Sequence, residues 1–63
     1  MYAVSINLVD REFNIECNAV VVHRTPFVND TESPIEGANG AQYERLVGLC
    51  ITLNEMLDIY NSM

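Results

Sequence analysis

The chain has 63 residues, nearly half of them apolar, and a net charge of −6 from nine acids against three arginines and no lysine. That length gives room for one domain, residues 1–63, in which only about 60% of the unfolded surface is buried. Small scaffolds of this kind usually add disulfides, a metal or a partner chain. With no basic patch to neutralise phosphates, direct nucleic-acid binding is disfavoured, as is an anionic membrane surface.

The chain opens with alternation. Tyr2, Val4, Ile6 and Leu8 share one face, and Ala3, Ser5, Asn7 and Val9 the other, which predicts a half-buried strand over about 2–9. The same stretch has no basic segment followed by a long apolar run, so no secretory leader is expected. No part of the chain approaches the roughly 20 apolar residues of a membrane span. The expected compartment is cytoplasmic, with Cys17 and Cys50 reduced.

Asp10-Arg11-Glu12 is a polar break, after which alternation resumes through Phe13, Ile15, Cys17, Ala19 and Val21. A second strand over about 13–23 follows, paired with the first as an antiparallel hairpin whose turn type is open. From Ala19 to Val22 this run is apolar on both faces, and one helix covers only one side of a hairpin. Val20 and Val22 are therefore expected to face a second protomer. Pro26 ends the strand, and 26–33 is an acidic connection in which Phe27 and Val28 are placed to tuck into the core.

Two helix-start signals compete. Ser33-Pro34-Ile35-Glu36 is a capping box with proline at the first helical position, and Asn39-Gly40-Ala41-Gln42 is a second. The helix is expected to start near 34 or near 40 and to run to about 60. A start at 34 puts Asn39 on the apolar side, which argues against it. Around the helix, Glu44, Arg45, Gly48, Thr52 and Glu55 form a polar arc. Tyr43, Leu46, Val47, Leu49, Cys50, Leu53, Met56, Leu57 and Tyr60 span roughly 180°, whereas a helix on one core shows a stripe from about 100° wide. The 3-4 spacing of Tyr43, Leu46, Cys50, Leu53, Leu57 and Tyr60 suits helix–helix packing in a dimer.

The expected architecture is thus α+β: a small ββα protomer, an antiparallel hairpin followed by one long amphipathic helix, completed by homodimerisation through Val20, Val22, Tyr43, Leu46, Cys50, Leu53, Leu57 and Tyr60. No catalytic, cofactor or metal site is read from the residues. His23 is the lone histidine, and the two cysteines lack metal-ligand spacing. No nucleophile–base pair is visible, so an enzyme is not expected. The acids Asp30, Glu32, Glu36, Glu55 and Asp58 are the candidates for docking onto a larger protein with a basic surface. Glu32 and Glu36 also suit the N-terminal end of a helix dipole, whereas Glu55 and Asp58 near its C-terminus do not.

By size and charge alone the chain resembles the small acidic inhibitors that phages and mobile elements encode, which implies protein binding with inhibition of the partner. Two other functions compete: an assembly subunit whose oligomer is the function, and a binder of a small anionic ligand at a protomer seam using Arg24, Arg45 or His23.

Overall fold

The computed structural model describes all 63 residues. Three strands, β1 (Tyr2–Asn7), β2 (Glu12–Cys17) and β3 (Val20–Pro26), form an antiparallel sheet in the order β1-β2-β3, and one long helix, α1 (Gly37–Asn61), follows. The class is α+β, an antiparallel sheet followed by a single helix, as the alternation and the helical period require. The expected second strand, however, is two strands.

The division falls at Asn18-Ala19. Both residues have positive φ, 52° and 69°, and Cys17 pairs with Val20 across them. Two left-handed residues between paired strands make the two-residue hairpin that matches strand twist. Asn-Gly is the usual signal for it. Here alanine holds the second position, so alternation reads straight through the turn. Ala19→Gly relieves about 1–2 kcal/mol of left-handed strain against about 0.5–1 kcal/mol of extra chain entropy. The variant is expected to be more stable by about 0.5–1 kcal/mol, read as a higher urea midpoint with an unchanged slope.

The turn also changes which face each valine occupies. Val20 lies opposite Cys17 and so shares the face of Phe13 and Ile15, while Val21 lies opposite Glu16 on the other face. The register shifts between Glu16↔Val21 and Ile15↔His23, leaving Val22 as the extra residue of a bulge. The expectation that Val20 and Val22 sit together on the face of Asn14 and Glu16 is corrected accordingly.

β1 ends at Asn7 rather than Val9. The Asn7 Oδ1 accepts the Asp10 backbone N–H at 3.0 Å, and its Nδ2 donates to the Asp10 carboxylate at 3.0 Å. This side-chain turn draws Leu8 and Val9 out of the strand, and they stand 63% and 92% exposed.

α1 starts at Gly37, between the two expected positions. Gly37 has φ +55°, so no right-handed helix passes through it from residue 34. The Ser33 hydroxyl accepts the Ile35 N–H at 3.4 Å and the Ser33 carbonyl accepts the Glu36 N–H at 3.3 Å, which makes a turn instead of a helix cap. At Gly40 the loop folds back so closely that a Cβ would fall 2.7 Å from the Ile35 carbonyl oxygen. Both glycines are therefore required by the loop–helix joint.

The core is small. Phe13, Ile15, Phe27 and Cys50 are its buried apolar residues. Phe13 meets Phe27 at 4.7 Å between ring centroids and Tyr43 at 5.8 Å, both tilted. Phe27 thus tucks in as expected, but Val28 stays 60% exposed. Arg11 clamps this end, its Nη2 donating to the Glu32 carbonyl at 2.7 Å while its guanidinium stands 4.9 Å over the Phe27 ring. The fold is elongated, 45 × 20 × 11 Å. Its radius of gyration is 12.8 Å, against about 10.6 Å for a compact domain of this length.

Candidate interaction surfaces

Three side-chain amides hold α1 to the rest of the chain, and each binds main chain as another strand would. Asn54 accepts the Tyr2 N–H at 2.6 Å and donates to the Tyr2 carbonyl at 3.0 Å. Gln42 accepts from the Val28 N–H at 3.0 Å and donates to the Pro26 carbonyl at 2.9 Å. Asn39 accepts the Asn29 N–H at 2.9 Å, and its NH2 group faces the carbonyls of Asn29, Glu32 and Ser33 at 2.8, 3.2 and 3.3 Å. Asn39 is fully buried and Gln42 nearly so. A loop leaving a sheet carries main-chain groups that must find partners once covered, and the amides supply them.

Asn39 therefore does lie on the inward face, the apolar side on which a polar residue is not expected. It is neither a helix cap nor misplaced. The one sequence signal for this role is that Asn39, Gln42 and Asn54 fall within one arc of the helix when projected at about 100° per residue.

These contacts also orient the helix. Cys17 flanks the two-residue turn and bonds across to β3, so its partner on β1, Tyr2, points its N–H and C=O away from β2. Asn54 thus marks the flank of α1 at the free edge of β1, and Gln42, bound to Pro26, marks the flank toward β3. The helix packs on β1 and β2 and leaves β3 uncovered.

Around that frame α1 has three unlike faces. The inward face holds buried Cys50 with Tyr43, Leu46, Leu53 and Leu57, all partly shielded. These five, expected at an intermolecular seam, line the inward face of α1 that packs on the sheet. Burial pushes the Cys50 thiol up, which keeps it protonated and inert. The flank toward β3 carries Leu49 (46% exposed), Met56 (60%) and Tyr60 (74%), with Leu53 at its inner margin. The opposite flank holds the acids Glu44, Glu55 and Asp58 beside Ile51 (55%).

Of the other residues expected at an interface, Val20 (63%), Val22 (54%) and Tyr60 (74%) are exposed. The five candidate docking acids do not form one patch. Asp30 and Glu36 are exposed at the loop end of the molecule, and Glu55 and Asp58 are exposed near the helix C-terminus. From residue 36 to residue 55 the helical rise alone is about 28 Å. Glu32 is partly buried, with one carboxylate oxygen buried and unpartnered.

The basic groups are dispersed. Arg24 approaches Glu12 at 3.9 Å while 68% exposed, too long and too wet to contribute much. His23 and Arg45 are exposed. The protomer encloses no pocket, and no helix is long and apolar enough to cross a membrane. Neither protein-family models, nor curated proteins, nor solved structures offer a match to this chain.

Proposed function

We propose that the chain is a protein-interaction module that acts as a homo-oligomer and docks onto a larger protein with a basic surface, inhibition of that protein being one outcome of docking. A single observation carries the reading. Four apolar residues are buried, whereas fifteen large hydrophobic residues are exposed, several of them grouped on β3 and one flank of α1. Its accessible surface, 4447 Å², exceeds the roughly 4,100 Å² expected of a monomer of this mass. Apolar surface gathered in this way supports a reading of association. The separate acidic flank leaves a second, charged surface for another protein.

Light scattering at micromolar concentration tests the first half. The expected result is a mass above that of the protomer which falls on dilution; a protomer mass throughout would end the reading. A salt-sensitive, stoichiometric complex with one larger protein is the expected result for the second half. Assembly as an end in itself is the alternative, because exposed Ile51 and Ile59 lie off the β3-side flank and offer a further contact. A large ring or array in the same scattering experiment would favour it.

A further inference from the structure

We propose that a second copy of this chain docks on the β3-side flank of α1, its own helix packed lengthwise against Leu49, Leu53, Met56 and Tyr60 and lying over the open face of β3. The inference rests on the self-association proposed above and names its surface. Three observations converge on it.

The stripe is self-complementary in spacing. Leu49, Leu53, Met56 and Tyr60 follow a 4-3-4 interval, the repeat by which two helices interdigitate. It runs beside the inward stripe used within the protomer and shares with it only Leu53, which is partly shielded.

The open space also has the right width. β1 and β3 lie two strand spacings apart, about 9.6 Å, and packed helices lie about 8–10 Å apart. With α1 on β1 and β2, a helix laid beside it on the Gln42 flank comes to rest over β3. Val20 there is 63% exposed and shares the face of Phe13 and Ile15.

Charge permits the match. Each copy carries −6, yet Glu44, Glu55 and Asp58 all lie on the opposite flank, and the one charged residue of α1 bordering the stripe is Arg45. Two copies meeting along Leu49–Tyr60 therefore bring no helix acids together. A basic partner, by contrast, finds its complement on the far flank. Pairing of β3 edges is the competing route, but a bulge at Val22, the Arg24 charge and Pro26 all discourage strand addition there.

Sedimentation equilibrium of the full chain and four variants tests the assignment. Met56→Glu and Leu49→Glu are expected to weaken dimerisation about thirty-fold or more while the far-UV helix signal is kept, since both side chains are largely exposed in the protomer. Ile51→Glu, equally exposed on the acidic flank, is expected to leave the dimer intact, as is Val21→Pro at the β3 edge. A parent dimer that Met56→Glu and Leu49→Glu leave unchanged, or that Ile51→Glu or Val21→Pro dissociates, overturns this surface and leaves self-association standing. A parent chain that is monomeric throughout overturns both.

Discussion

Asn39→Asp is expected to leave the chain largely unfolded at neutral pH. The substitution keeps one acceptor, for the Asn29 N–H, and replaces the NH2 donor by a carboxylate oxygen facing the carbonyls of Asn29, Glu32 and Ser33. The site has no exposure, so the charge has no water to turn to. An unpaired buried charge costs several kcal/mol, and total stability for this length is about 3–9 kcal/mol. Asn39→Ala removes the same bonds without the charge and is expected to cost about 3 kcal/mol, the penalty of leaving buried main-chain groups unsatisfied. Urea titration followed by circular dichroism ranks them. An aspartate variant as stable as the parent would falsify the role given to this amide.

Phe13→Ala should be nearly as damaging. Phe13 is 1% exposed and touches both Phe27 and Tyr43, so it joins the sheet, the connection and the helix. Truncating a buried phenylalanine costs about 3–5 kcal/mol. In a core with only four buried apolar members there is little to collapse into the cavity. The expected readout is a broad, low-temperature thermal transition in place of a cooperative one. If the chain self-associates as proposed, association adds stability by mass action, and the loss is expected to be partly recovered at high protein concentration. A variant that melts like the parent at every concentration would place the centre of the fold elsewhere.

These two residues mark how far the sequence could be read. Phe13 belongs to an alternating run and announces its burial by period alone. The helix over 43–60 likewise follows from its 3.6 period, and the antiparallel hairpin from two alternating runs with a polar break. Asn39 was legible in the opposite sense: a polar residue on an apolar face looks like an error until the loop that needs its bonds is in place. The loop main chain is invisible in a hydrophobic pattern. The same limit hid the turn at Asn18-Ala19, where backbone conformation changes and side-chain chemistry barely does. One misplaced turn then moved Val20 to the other face of the sheet, because strand periodicity has no tolerance for an extra residue. For a related reason, the inward face of α1 takes up part of the apolar arc expected at an interface. Sequence shows that the apolar arc is wide, but only the placement of Asn54 and Gln42 shows which part of it the protomer uses.

The bond between Asn54 and Tyr2 bears on the order in which the chain can be finished during synthesis. Fifty-two residues separate the two, and at about 5–20 residues per second a ribosome takes roughly 3–10 s to add them. Throughout that interval the outward N–H and C=O of Tyr2 have no cover from the helix. β1 and β2 can pair early, through a tight loop, but the Tyr2 end of their outer edge is covered only when the second half of α1 emerges. The nascent hairpin is thus the stage at which the chain is most open to pairing with a strand of another molecule.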